Sequence, residues 1–291
     1  MPLVSVGIPV YNEQKYIRQL IQSIISQTYT NIEIIISDNA STDNTWPIIK
    51  EFGDQRVVSI RQSKMIDAIS NFEFVLNQAK GDFFIWAGGH DLWDKHMIEK
   101  CLKIHANHQN CVLVVPKVVN IDSNGVIFNP DKSYIDTTFD KSQIRRAFTF
   151  FRHMNRCNAI YGLFNREILL KTMPFPDTID CDFIVLMRIA SLGDVLSCKS
   201  TFWVRRYQRS NETTEKKIHR YKAMLRLSEL STRYPYATCR IVLFSEILKF
   251  NGHFWEKLFI LLYFFQRRVL NINSIKLLLN EIRDNIDWSK R

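Results

Sequence analysis

Short apolar runs alternate with helical patterns along the first two thirds of the chain. Leu3 to Val10 and Ile32 to Ile36 are β-branched runs, as expected of strands buried on both faces of a parallel sheet. Between them Tyr16, Ile17, Leu20, Ile21, Ile24 and Ile25 recur at helical spacing, so the opening unit reads β-α-β. Val57–Arg61 continues as a strand, Ala68–Ala79 as a helix, Gly81–Ala87 as a buried strand, Asp94–Asn107 as a helix and Val112–Val115 as a strand. Asn120–Thr138, rich in Asp, Asn, Ser and Pro, reads as a loop or a hairpin around Ser123-Asn124-Gly125. Beyond about Ser200 long helical patterns take over. Such an order predicts an α/β fold with a mostly parallel sheet, whose ligands bind at the carboxyl ends of the strands. Two polar clusters, Tyr11-Asn12-Glu13 and Asp38-Asn39-Ala40-Ser41, fall at those ends.

Charge divides the chain. Residues 1–200 hold 21 Lys+Arg and 21 Asp+Glu, whereas residues 201–291 hold 18 and 8 and so carry the whole net charge of +10. The division predicts a body over 1–210 and a basic, amphipathic helical region over 211–291. With 291 residues, 46% of them hydrophobic, the chain can bury one large core plus an appendage. Six cysteines without a CxxC pair point to neither a zinc knuckle nor a disulfide scaffold, so reduced, cytosolic thiols are expected. The start lacks a basic n-region and turns polar at Tyr11, which gives the expectation of no signal peptide. Nucleic acid is not an expected partner, because the basic region shows no helix-turn-helix, RNP-like strand or zinc spacing.

The turn Pro9-Val10-Tyr11-Asn12-Glu13 and the second cluster Ser37-Asp38-Asn39-Ala40-Ser41-Thr42-Asp43 resemble those of the family 2 glycosyltransferases, which have the Rossmann-like GT-A fold. The resemblance runs over about residues 3–210. It implies a sugar transferred from a nucleotide-sugar donor to an acceptor hydroxyl, with Pro9, Tyr11, Glu13 and Asp38 as donor-site candidates. A carboxylate can accept hydrogen bonds from an imide N–H or a ribose hydroxyl. The competing reading for Asn12 or Glu13, and for Ser41, Thr42 and Asp43, is helix capping.

In the family the strand matching Gly81–Ala87 ends in an acidic Asp-x-Asp motif that holds a divalent metal across the donor's phosphates. Here the two acidic positions fall on Gly88 and His90, and Asp91 matches a neighbouring aspartate. His90 and Asp91 are therefore metal candidates for Mn²⁺ or Mg²⁺, the imidazole favouring Mn²⁺. Two alternatives are direct phosphate neutralisation by Arg205 and Arg206 without metal, and a capping role for His90 with a structural hydrogen bond at Asp91. Asn158–Arg166 resembles a family strand beneath the acceptor site, read as packing. Asp180-Cys181-Asp182-Phe183 resembles the acidic element that opens a helix and, in inverting members, supplies the general base. Asp182 is the catalytic candidate and Asp180 the reserve; a helix N-cap is the other reading for either. Phe202–Ser210 resembles the terminal strand, with Tyr207 where the family has histidine.

Phe254 to Arg268 contains an unbroken run of eight apolar residues flanked by basic ones. Eight residues fall short of the ~20 needed to span a bilayer, but a basic, aromatic helix can lie in its interface. Packing on the body or a homodimer is the competing reading. The expected setting is the cytoplasmic face of a membrane, in cell-surface polysaccharide, lipopolysaccharide or glycolipid synthesis, with a glycan or lipid-linked acceptor. A noncatalytic sugar-nucleotide-binding module of the same fold is the alternative.

Overall fold

The computed structural model describes residues 1–122, 125–128, 134–154, 157–206, 225, 227–268 and 275–280. Its centre is one eight-stranded sheet made of β1 (Val4–Val10), β2 (Ile32–Asp38), β3 (Val57–Arg61), β4 (Phe83–Trp86), β5 (Leu92–Trp93), β6 (Cys111–Ile121), β7 (Leu163–Asn165) and β8 (Asp194–Arg206). The spatial order is β3-β2-β1-β4-β7-β6-β8-β5. β3, β2, β1 and β4 are mutually parallel, β7 runs against both β4 and β6, and β8 is parallel to β6. The chain passes from β1 outward to β2 and β3, then returns to place β4 on the other side of β1. That reversal opens a crevice at the carboxyl ends of β1 and β4.

Alternation of side chains across the pleat gives the sheet two apolar faces. Val4, Val6, Ile8 and Val10 of β1 join Ile34 and Ile36 of β2 under α1 (Ile17–Ile25), α2 (Thr45–Lys50) and α4 (Met97–Asn107). On the opposite face Phe84 and Trp86 meet α3 (Ala68–Gln78), α5 (Gln143–His153), α6 (Arg166–Leu170) and α7 (Cys181–Leu192). The same cluster takes in Leu243, Ile247 and Phe250 from α9 (Pro235–Lys249), which follows the short α8 (Glu229–Arg233), and Ile260 and Phe264 from α10 (Phe254–Arg268). The C-terminal helices thus share the core of the body.

Several elements depart from the sequence pattern. The strand expected at Val112–Val115 extends to Ile121, because β8 pairs with it over ten positions through a bulge at Pro116/Lys117. β8 starts at Asp194, well before the expected Phe202, for the same reason. In the region read as a strand beneath the acceptor site, Cys157–Tyr161 is a 3₁₀ turn and only Leu163–Asn165 is strand. Helix α5, which the pattern reading left unassigned, buries Ile144, Ala147 and Phe150 at helical spacing. Ile121 bridges antiparallel to Ile127, and Gly125 takes a positive φ of 85°, as a reversal there requires. Ser123, Asn124, the boundary near Ser210 and Tyr207–Ser210 lie outside the described residues.

Candidate active site

The turn after β1 and the turn after β2 are laced to each other. Asn12 N donates to Ser41 Oγ at 2.9 Å, Thr42 N to Asn12 Oδ1 at 2.9 Å, and Glu13 N to Thr45 Oγ1 at 2.7 Å. Asn12 and Ala40 both sit in the left-handed region, with φ of 55° and 56°. Asparagine tolerates that conformation, whereas for alanine it is uncommon and strained. The capping reading of these residues is corrected in part: α1 has no side-chain cap, and the side chains of Asn12 and Ser41 bridge the loops instead. Asp43 does accept from Thr45 N in the first turn of α2, at 2.9 Å.

Asp38 ends β2 fully buried. Its Oδ2 lies 3.2 Å from Arg61 Nε, and both carboxylate oxygens accept from Ser41 N at 3.3 Å. Arg61, at the end of β3, also donates to Ser41 O at 2.8 Å. The aspartate therefore orders the second loop, and Arg61 joins it as a residue the sequence reading did not single out. Pro9 is paired with Ser37 across the ladder, and Tyr11 is exposed at the mouth of the crevice.

The turn after β4 brings the next group together. Glu13 Oε1 lies 2.8 Å from His90 Nδ1, and His90 Nε2 lies 3.9 Å from Asp91 Oδ1. Burial alone would lower the His90 pKa, but the hydrogen bond it donates to Glu13 and the charges of Asp91 and Glu13 raise it overall. Asp91 is buried, which pushes its carboxyl up to about 7 against the lowering pull of His90. Two glycines permit this packing. A Cβ at Gly89 would stand 2.8 Å from Glu13 Cγ, and one at Gly88 would stand 2.7 Å from Asp91 Oδ2. The carboxylate of Asp91 thus fills the space beside position 88, where the family motif has an acid.

Arg206, at the end of β8, donates its backbone N–H to Asp91 Oδ1 at 3.3 Å. Its guanidinium stacks over Tyr16, 4.6 Å from the ring centroid, and donates to Gln19 Oε1 at 2.9 Å. Arg205 donates to Asn158 Oδ1 at 2.5 Å. Both arginines are therefore held within the site and are not loose edge-strand cations.

Asp182 stands in the first turn of α7, behind Asp180, whose φ of 55° turns the chain sharply. Neither carboxylate caps this helix from the N-cap position; Asp182 Oδ1 accepts from the next residue's N–H, Phe183 N, at 2.9 Å. Burial, with the neighbouring Asp180 charge, raises Asp182 to about 6, and a hydrogen bond from Cys157 opposes that rise. Tyr161 packs against Trp203 of β8 at a centroid distance of 5.1 Å. Burial first, then the charges of Asp91, Asp182 and Glu13, drive its phenol well above the ordinary value while Arg205 pulls it down. Tyr161 and Asn158 lie in the segment read as packing; a tyrosine and an asparagine within an apolar run were the available signal.

A divalent ion bridging a diphosphate here would have His90 Nε2 and Asp91 Oδ1, 3.9 Å apart, as its protein ligands. Among the described residues no group of three or more His, Cys, Asp or Glu is placed to hold one, and the Glu13 carboxylate is bonded to His90 Nδ1. His90 does not cap α4 either, since that helix begins at Met97 behind His96.

A mostly parallel sheet with a crevice at its reversal point, lined by carboxylates, arginines and an imidazole, agrees with the GT-A architecture that the sequence resemblance implies. The family profile "Glycosyl transferase family 2" matches residues 5–172, more than half of the chain, and the protein belongs to that family. Asp182, Arg205 and Arg206 lie beyond the matched residues. The chain is 40% identical over 93 residues to the Escherichia coli UDP-Glc:alpha-D-GlcNAc-diphosphoundecaprenol beta-1,3-glucosyltransferase WfaP, covering 32% of this chain and 37% of that protein. It is 32% identical over 145 residues to a glycosyltransferase of Rickettsia typhi, covering 48% of this chain and 45% of that one. The matches thus span less than half the length of these relatives. Crystal structures of Staphylococcus aureus TarS share the fold: residues 1–349 with UDP-GlcNAc superimpose with a TM-score of 0.67 at 17% identity, covering 98% of this chain and 80% of that one.

Proposed function

We propose that this protein transfers a sugar from a nucleoside-diphosphate sugar to an acceptor hydroxyl with inversion at the anomeric carbon. The observation that carries this reading is the cluster of Glu13, His90 and Asp91, with the backbone N–H of Arg206 on Asp91, at the crevice of a family 2 fold. Pro9, Tyr11, Glu13 and Asp38 hold the base and ribose. In the reaction the acceptor oxygen attacks the anomeric carbon, the bond from that carbon to the diphosphate oxygen breaks, and the nucleoside diphosphate leaves with the electron pair. Asp182 takes the acceptor's proton, a task for which a carboxylate poised at about 6 is suited near neutral pH. Positive charge for the leaving diphosphate comes from Arg205 and Arg206, in place of a metal.

A UDP-sugar is the donor class, since WfaP is named for UDP-Glc and TarS was crystallised with UDP-GlcNAc. The named acceptor of WfaP, a diphosphoundecaprenol-linked sugar, supports a lipid-linked acceptor here. On this reading the reaction proceeds at the cytoplasmic face of a membrane, in assembly of cell-surface polysaccharide, lipopolysaccharide or glycolipid. Asp182→Asn tests the chemistry: turnover should fall at least about a hundredfold while the Kd for the UDP-sugar stays nearly unchanged. Near-normal turnover would move the base to Asp180 or indicate retention. Turnover in EDTA should persist; its loss, with Mn²⁺ restoring more than Mg²⁺, would reinstate His90 and Asp91 as metal ligands. The second reading, a noncatalytic sugar-nucleotide module, draws on Gly88 and His90 in the acidic motif. Donor binding without any transfer or donor hydrolysis would favour it.

A further inference from the structure

Helix α10 has two opposed apolar faces, and only one of them is covered. Ile260 and Phe264 are buried against α5, where Phe264 meets Phe151 at a centroid distance of 4.2 Å. On the opposite side Phe254, Trp255, Phe259, Leu262 and Phe265 remain 44–74% exposed. At 100° per residue these five fall within a single arc, with no charged residue among them. Beside them a groove of about 440 Å³ runs between α5 and α10, lined by Phe148, Trp255, Phe259 and Ile260 and rimmed by Asp140, Arg145 and Glu256. An exposed apolar arc of this extent marks an interaction surface.

We infer that the outer face of α10 docks on an anionic bilayer surface. Charge selects this occupant. The C-terminal residues 201–291 carry the protein's whole excess of positive charge, and beside the arc Arg152 lies over Phe148, which packs on Phe259; of the nearby acids Glu256 pairs with Arg145, while Asp140 lines the groove. A second copy would bring two basic surfaces together, whereas anionic headgroups attract them. Among the described residues no helix is long and apolar enough to cross a membrane, so the helix lies in the interface plane.

The orientation of the helix links docking to catalysis. α10 runs alongside α5 in the same direction, with Glu256 beside Arg145, Phe259 beside Phe148 and Phe264 beside Phe151. Phe151 in turn meets Phe183, the residue after Asp182, at 5.3 Å. The later turns of α10 therefore point toward the end of α7 that carries the proposed base. An interfacial α10 would hold that end near the headgroups, where a lipid-linked hydroxyl is presented. This consequence rests on the transfer reading above; the docking itself does not.

The test is co-sedimentation of the full chain with phosphatidylglycerol/phosphatidylcholine vesicles and with phosphatidylcholine alone. Wild-type protein should bind the anionic vesicles, less strongly in high salt and still measurably. Replacing Trp255, Leu262 and Phe265 with Ser should weaken binding at least about tenfold with little change in Tm, because those side chains already face solvent. Leu262→Glu alone, placing one negative charge on the arc, should weaken it in the same direction. Absence of wild-type vesicle binding would overturn the inference. So would unimpaired binding by the variants, or a concentration-dependent dimer that the substitutions dissolve, or a large fall in Tm, which would mean that protein already covers this face. UDP-sugar titration of the same variants reads the donor site separately, so failure of the transfer reading is told apart from failure of docking.

Discussion

Position 88 shows how a single residue decides what the site can be. A glycine there leaves room for Asp91 Oδ2, which a Cβ would approach to 2.7 Å. Restoring the family's acid with Gly88→Asp would add an overpacked side chain and a second carboxylate beside a buried one. The expected outcome is a loss of about 1–3 kcal/mol, read as a lower midpoint in urea unfolding, with no gain in Mn²⁺ affinity. Unchanged stability with new metal binding would show that Asp91 swings away to form a two-carboxylate site. Glu13 and His90 illustrate the complementary point. Each was legible as a candidate from its motif, but their 2.8 Å contact joins residues 77 positions apart and belongs to the packing of two turns.

At the level of elements, helix α7 sets the pH behaviour. Its first turn encloses Asp182 and raises the carboxyl from the ordinary 3.8 to about 6. A general base acts only when ionised, so turnover should climb with pH through about 6, and that limb should vanish in Asp182→Asn. Stability moves the other way. The native state binds this proton more tightly than the unfolded chain, so the stabilisation is fully present below about 3.8 and is lost as pH rises through about 6. Comparing urea midpoints of wild type and Asp182→Asn between pH 4 and pH 7 checks the sign: the wild type should lose stability relative to the variant. The helix itself was expected from the resemblance of Asp180–Phe183 to the family's acidic element. The left-handed Asp180 that aims its start was not, because no period in the sequence encodes a single backbone angle.

Across the whole molecule, the C-terminal helices are part of the body's core and not a hanging appendage. Leu243, Ile247, Phe250, Ile260 and Phe264 belong to the same buried cluster as Phe84, Trp86 and Phe164 of the sheet. Ending the chain after residue 206 should therefore leave a body that is less stable and prone to aggregate, seen as a lower Tm and loss of soluble protein; an unchanged Tm would show two independent units. The sequence alone determined the β-α-β opening, the parallel half of the sheet and the position of the polar turns at strand ends, because local periodicity and turn chemistry dictate them. It also marked the aromatic run of α10. Tertiary structure decided the rest: that β6 and β8 lengthen each other, that Asn158 meets Arg205, that Asp38 is held by Arg61, and that one face of α10 is buried while the other is bare. Those outcomes depend on which distant surfaces meet, and contacts between residues far apart in the chain leave no period in a single sequence from which to read them.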